Sequence, residues 1–366
     1  MPEVADVLRR YGEAYRGRFD SHMPPSHRRA MEDILACRTE TLGGHRYQCD
    51  RCGHSLYAYH SCRNRSCPKC HKTDTQRWLS RRQAELLPVP HFHLTFTLPR
   101  ELHSLVRTHQ RLLYGILLKA AALMSLARDP RFVGGRIGIL SVLHTWTRAM
   151  VFHPHAHCLV PAGGVSQDDS RWRPAHKKYL VPVQALSILF RAKFIKLARK
   201  ALPKAVFPES IWKKNWVVHC KPAVQDSAKV LGYLARYVHR IAITNNRILS
   251  VGDEKVLFRY KDSRQLRWKT MSLSAEEFLR RFLQHVLPEG FHKVRYFGFL
   301  SPSSRSQLPH IRSLIPEDPS CGQPSADPLE SAKAQPKPNA PLPCPSCHQG
   351  WLILVATVLP LRRAPP

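Results

Sequence analysis

Acidic side chains are scarce in this chain of 366 residues: 26 Asp and Glu face 57 Lys and Arg, leaving a formal charge of +31. A deficit of that size points to a polyanionic partner, nucleic acid ahead of a ribosomal or membrane surface. About half of the excess lies in residues 191–300, which hold 23 basic and 8 acidic side chains. Long apolar runs are missing as well. The longest late one, Trp351–Pro360, is too short to span a bilayer. Met1–Arg10 mixes acids with bases and opens no apolar run, so a secretion signal is not expected and the chain is assigned to the cytoplasm. Reducing conditions there make the eleven cysteines expected metal ligands rather than disulfide partners.

Three segments are expected. Residues 1–86 begin with a helical pattern (Val4, Val7, Leu8, Tyr11), continue with a second helix over Ser26–Cys37 and a Cys/His cluster, and close on a basic helix over Trp78–Leu87. Residues 87–312 form the main body. Phe92–Leu98 alternates as a strand, Glu101–Ala127 reads as one or two helices, and Ile137–Thr147 with His153–Val160 reads as an antiparallel hairpin. Helices follow at about 183–201 and 226–243, strands at 247–251 and 255–261, and a capped helix at Ser274–Val286. Residues 313–366 carry 12 of the 30 prolines and read as a disordered tail, or as a half-formed zinc knuckle, with an isolated Cys344-x2-Cys347 whose sole other candidate partner is Cys321. The mixture is an α+β fold.

The cysteines carry the first chemical signal. Cys49-x2-Cys52 and Cys67-x2-Cys70, fourteen residues apart, have the spacing of a four-thiolate zinc ribbon. Cys37 and Cys62 remain, with His45, His54 and His60 close by. Cys37, Cys62, His60 and His45 make a set for a second ion; otherwise Cys37 is a core thiol and the histidines are solvated. Arg38, Arg46, Arg51, Arg63, Arg65, Lys69 and Lys72 rim the cluster and suit DNA phosphates. Four thiolates leave no open position, so this zinc is expected to be structural.

The second signal is Phe152-His-Pro-His-Ala-His-Cys-Leu-Val160. Alternation along a strand puts His153, His155 and His157 on one face, where neutral imidazoles can hold a divalent ion. A turn near Met150 would bring His144 opposite them as third ligand, with His153 as the other candidate. The third signal is Tyr233-x3-Tyr237. At helical spacing, Val230, Leu231, Leu234, Val238 and Ile241 form an apolar stripe with the tyrosines on its flank and Arg236 and Arg240 just beyond. A lone Tyr-x3-Tyr pair is ordinary core edge. Beside a metal site and so much positive charge it reads as a nucleophile pair that cuts single-stranded DNA and remains attached to it.

The chain resembles the rolling-circle transposases of the insertion sequence ninety-one family, within the HUH single-strand endonucleases. The motifs carrying the resemblance run from Cys37 to Pro302. They include Cys37-Arg-Thr-Glu-Thr-Leu-Gly-Gly44, Ser61-Cys-Arg-Asn-Arg65, Cys67-Pro-Lys-Cys70, Leu143-His-Thr-Trp146, His153–Val160, Tyr233-Leu-Ala-Arg-Tyr237 and Glu277-Phe-Leu-Arg-Arg-Phe282. Ser66 stands where the family commonly has histidine. The resemblance implies an antiparallel sheet flanked by helices and a zinc-binding, DNA-recognising N-terminal domain. It also implies metal ligation by His155 and His157, nucleophiles at Tyr233 and Tyr237, and a bacterial, nucleoid-associated protein. Expected cofactors are structural Zn²⁺ and catalytic Mg²⁺ or Mn²⁺; the expected partner is single-stranded DNA at element ends and target, without membrane or small-molecule substrate. Two rivals stay open: a replication initiator or plasmid relaxase with the same chemistry, and a zinc-ribbon DNA-binding protein without catalysis.

Overall fold

The computed structural model describes residues 1–121, 128–176, 180–224, 227–238, 242–262, 265–316 and 342–361, with the side chains of residues 222–224, 227, 229 and 236 outside that description. The fold is α+β and divides into two compact units. One comprises residues 1–72, 243–286 and 326–366; the other comprises 73–242 and 287–325. The division therefore crosses the three consecutive segments that composition suggested at 1–86, 87–312 and 313–366. Its cause is in the core of the first unit. Helix Val4–Phe19 buries Val4, Val7 and Leu8, and helix Ala275–Leu283 buries Phe278, Leu279 and Phe282. The two are tied by an Arg18–Glu276 ion pair at 2.6 Å, and Tyr11 Oη accepts from the Glu254 N–H at 3.2 Å. Residues 243–286 thus complete a core that the first 72 residues cannot close alone.

The first unit carries two sheets. Trp268–Ser274, Lys255–Lys261 and Ile248–Gly252 lie side by side, ahead of the helix that Ser274 caps by accepting from the Glu277 N–H at 3.2 Å. The other sheet runs Leu342–Pro343, Trp351–Val358, Gly44–Cys49, Ser55–Tyr59. Trp351–Val358 pairs antiparallel with Gly44–Cys49, setting Leu352 opposite Cys49. The expectation of an isolated CxxC is corrected here: Cys344 and Cys347 sit in the turn between Leu342–Pro343 and Trp351–Val358, beside Cys49 and Cys52. Cys321 lies outside the described residues.

The second unit is built on a five-stranded antiparallel sheet in the order Val294–Gly298, Gly138–Trp146, Phe152–Pro161, His91–Thr97, Val218–Val224. Phe152–Pro161 is central and almost wholly buried, because Ala156, Cys158 and Val160 face one layer and the histidines face the other. The apolar layer packs on helices Gln110–Ala120 and Val183–Ala201 through Leu113, Leu117, Phe190 and Phe194. The opposite layer receives the tyrosine helix Ser227–Val238. Its Leu231, Leu234 and Val238 pack on Leu140, Val142 and Leu159. Residues 239–241, with Ile241 and Arg240, lie outside the described residues, as does the Arg236 side chain.

The hairpin turns where expected: Met150 has φ 58°, Thr147 N–H donates to the Val151 carbonyl at 2.9 Å, and His144 stands opposite His155. Between His144 and Trp146 the register slips, because two residues, His153 and Pro154, stand opposite one. A proline without an N–H is tolerated inside a sheet at such a bulge.

At Gly298 the backbone passes too close to its neighbour for a side chain. Its φ is +62°, and an added Cβ would lie 1.7 Å from the Ile137 carbonyl oxygen on the neighbouring chain segment. Gly298→Ala should therefore destabilise the protein by about 2–4 kcal/mol, read as a lowered urea midpoint.

Candidate functional site

The hairpin register brings His144, His155 and His157 together, all buried, with one nitrogen of each within 4.8 Å of the others. His155 Nδ1 lies 2.6 Å from the His153 carbonyl, which can only accept, so Nδ1 carries the proton and Nε2 is bare in the neutral ring. That Nε2 is 2.8 Å from His144 Nδ1 and 3.1 Å from His157 Nε2. At metal–nitrogen bonds of about 2.0–2.1 Å, adjacent ligands of one octahedral ion stand about 3.0 Å apart. The cluster thus has the size of a three-imidazole metal site. His157 is held from behind: its Nδ1 lies 3.0 Å from His93 Nε2 and 3.2 Å from Thr95 Oγ1. Thr95 stands opposite His157 on the neighbouring strand, and sequence reading did not single out either His93 or Thr95. The alternation of His93 and Thr95 along one strand face was the available signal.

His153 does not join the cluster. The bulge at His153–Pro154 breaks its alternation with His155: its ring still lies 5.1 Å from that of His155 and 6.3 Å from that of His103, but it is not among the three residues whose ring nitrogens converge. Burial drives the imidazoles towards the neutral, metal-competent form. It lowers His155 to about 4 and His157 well below its ordinary value; it also takes His93 to about 4, with Lys221 adding to the effect.

The tyrosines lie over this cluster, half-buried at the flank of the helix stripe. Tyr237 stands 4.4 Å from His144 and 6.0 Å from His157 between ring centroids, whereas Tyr233 stands 6.1 Å from both His93 and His157. The two phenol rings are 4.9 Å apart. Because Leu231, Leu234 and Val238 anchor the helix, both tyrosines are presented to the histidine face.

The thiols group differently from the ribbon expected at Cys49, Cys52, Cys67 and Cys70. Cys67 and Cys70 gather with Cys37 and Cys62, and Cys49 and Cys52 gather with Cys344 and Cys347. In the first set Cys70 Sγ is 3.5 Å from Cys37 Sγ and 3.7 Å from Cys62 Sγ. Such separations match the edge of a zinc tetrathiolate, about 3.8 Å for 2.3 Å bonds. His45 and His60, expected alongside Cys37 and Cys62, instead stack edge-to-face at 5.2 Å, outside either thiol set. Ser66 is buried next to Cys67 and donates its N–H to Asn64 Oδ1 at 2.8 Å. With four thiols assembled, no histidine is needed at that position. Among the expected DNA contacts, Arg63 is exposed and Arg65 half-buried, whereas Lys69 is engaged by Glu3 at 2.5 Å.

Comparison with known proteins decides the family. Residues 138–307 match the family described as "Putative transposase", and residues 7–98 match the transposase zinc-binding domain of the insertion sequence ninety-one type. The chain is 41% identical over 382 residues to "Putative transposase y4qJ" of Sinorhizobium fredii, covering 97% of this chain and 95% of that one. It belongs to the insertion sequence ninety-one family of transposases. The transposase for insertion sequence element IS801 of Pseudomonas savastanoi pv. phaseolicola is 31% identical over 292 residues, covering 73% of this chain and 68% of that protein. No solved structure matches the chain. The family match supports structural zinc and DNA binding in this transposase. No helix among the described residues is long and apolar enough to cross a membrane.

The buried histidines of this transposase also set its pH response. His91, at the start of the His91–Thr97 strand, is fully buried, lowered by burial to about 4, and donates to the Val89 carbonyl at 2.8 Å. Its unfolded value is about 6.5, so the unfolded chain binds the extra proton between those limits and stability is lost as pH falls from 6.5 towards 4. The loss from this group should be about 3 kcal/mol. Urea titrations across that range should show a shallower decline for His91→Gln than for the parent.

Proposed function

We propose that this transposase nicks and rejoins single-stranded DNA through Tyr233 and Tyr237, passing through a covalent 5′-phosphotyrosine during rolling-circle-type transposition. The observation that carries the proposal is the placement of both phenol rings within 4.4–6.1 Å of a buried three-histidine cluster. The family relationship supports the same reading.

In the reaction, a tyrosine oxygen attacks the scissile phosphorus and the phosphorus–O3′ bond breaks. The phenol proton is lost as the departing 3′ oxygen gains one, leaving a free 3′-hydroxyl and a phosphotyrosine ester. One phosphoester replaces another, so rejoining needs no ATP. A phenol with an ordinary pKa near 10 attacks poorly without help. A divalent ion on His144, His155 and His157 would polarise the phosphate and offset the charge gathering on its oxygens. Of Mg²⁺ and Mn²⁺, three nitrogen donors suit Mn²⁺ better. The protein's own part is positioning. Thr95 and His93 hold the His157 ring, the His153 carbonyl fixes the His155 tautomer, and the helix anchors keep both tyrosines on that face. Two nucleophiles allow two strands to be held in turn.

Cys37, Cys62, Cys67 and Cys70 would hold a structural zinc that orders the N-terminal unit, with the exposed Arg63 offered to DNA phosphates. Lys69 is assigned instead to its ion pair with Glu3.

Incubating the protein with single-stranded DNA bearing the element's end and Mn²⁺ should give an adduct that survives a denaturing gel. Tyr233→Phe with Tyr237→Phe should remove it, by roughly 100-fold or more. Equal adduct yield from that double variant and the parent would refute the nucleophile assignment. Thr95→Val should weaken Mn²⁺ binding by about 10–100-fold while leaving the fold intact, measured by calorimetric titration.

A further inference from the structure

Cys49 and Cys52 come from the N-terminal hairpin, and Cys344 and Cys347 come from a turn 292 residues further along. Cys49 Sγ lies 3.7 Å from Cys347 Sγ, and Cys52 Sγ lies 3.7 Å from Cys344 Sγ. A disulfide would need about 2.05 Å. The measured separations are those of thiolates sharing a tetrahedral ion, whose edge is about 3.8 Å for zinc.

The backbone repeats the same device in both halves. Arg51 N–H points at Cys49 Sγ and Ser346 N–H at Cys344 Sγ, each at 3.4 Å. Gly53 N–H returns to the Cys49 carbonyl at 3.1 Å, and His348 N–H to the Cys344 carbonyl at 3.0 Å. The residue after each second cysteine is left-handed, Gly53 at φ 72° and His348 at φ 56°. Each turn therefore aims N–H donors at sulfur, which favours thiolate over thiol. Gly350 lets the halves meet: its N–H points at Cys347 Sγ at 3.4 Å, and an added Cβ would come within 2.5 Å of both Cys49 Sγ and Asp50 Oδ1. Asp50 in turn accepts from the Trp351 N–H at 2.8 Å, locking the turn to the strand that follows.

We propose that Cys49, Cys52, Cys344 and Cys347 bind a second zinc ion that clasps residues 342–361 onto the N-terminal hairpin. Binding would convert the four thiols to thiolates and release their protons to solvent. Two of its ligands lie beyond residues 7–98, the span matched by the zinc-binding family. The site is independent of the Cys37, Cys62, Cys67 and Cys70 set and of the tyrosine chemistry, so either of those readings can fail without it.

The test is zinc content of the full chain by elemental analysis, paired with chymotrypsin digestion. The parent should hold two zinc ions. Cys344→Ser with Cys347→Ser should hold one, and cleavage at Trp351 should accelerate roughly tenfold or more. Cys67→Ser with Cys70→Ser should also lose one ion while Trp351 stays protected. A ribbon joining Cys49 and Cys52 to Cys67 and Cys70 would leave zinc unchanged in the Cys344/Cys347 variant, and that result overturns the clasp. A single zinc in the parent that the Cys344/Cys347 variant keeps overturns it too, whereas a single zinc that this variant loses supports the clasp and refutes the Cys37, Cys62, Cys67 and Cys70 site instead. Should the serine variants fail to fold, cobalt-loaded Cys347→His decides: two ions per chain, with one set of ligand-field bands moved from four-thiolate to three-thiolate, one-imidazole character. Bands identical to the parent's would refute the assignment.

Discussion

The pairing of His144 with His155 across one hairpin is the constraint from which the rest of the second unit follows. It places His155 Nε2 within 3.1 Å of a nitrogen of His144 and of His157, and burial lowers the pKa of His155 and His157 so that their neutral rings are favoured. Three polar rings on a sheet face cannot be left against hydrocarbon without partners. Neighbouring groups meet that demand: the His153 carbonyl, Thr95 and His93. The apolar residues around them, Leu140, Val142 and Leu159, then give the tyrosine helix a surface to pack on. The imidazole cluster and the helix docking surface thus share a face, which is why the phenols come to lie against the imidazoles.

The sequence made this arrangement readable because its signals are local and periodic. Alternation marks the strands, a turn at Met150 sets their register, and apolar spacing fixes the phase of the tyrosine helix. Where these rules fail, a specific residue breaks the period. Alternation puts His153 with His155, but the bulge at His153–Pro154 breaks the period and leaves His153 out of the converging nitrogens. Val218–Val224 and Val294–Gly298, the two edges of the sheet, went unread because short mixed runs carry little period-two signal.

The thiols were misgrouped for another reason. Each CxxC turn here has a left-handed residue after its second cysteine, at Gly53, His71 and His348. Spacing identifies each turn as half of a site but carries no information about which half it joins. Proximity in the chain favoured Cys49 and Cys52 with Cys67 and Cys70. Strand pairing between Gly44–Cys49 and Trp351–Val358 brings the more distant pair instead. Similarly, composition divides the chain into consecutive segments, whereas the core of the first unit recruits residues 243–286 through Phe278 and Phe282.

Joining residues 292 apart is less demanding than it looks. Loop-closure entropy grows only with the logarithm of length, so closing that span costs about 5 kcal/mol, barely more than closing one half as long. A structural zinc site returns about 10–16 kcal/mol of apparent binding free energy at neutral pH. The clasp therefore holds the C-terminal strand with margin, even though that strand exposes Ile353, Leu354 and Val355 and buries little apolar surface beyond Leu352. A segment that cannot be kept in place by its own core is the kind for which metal ligation is the effective fastening.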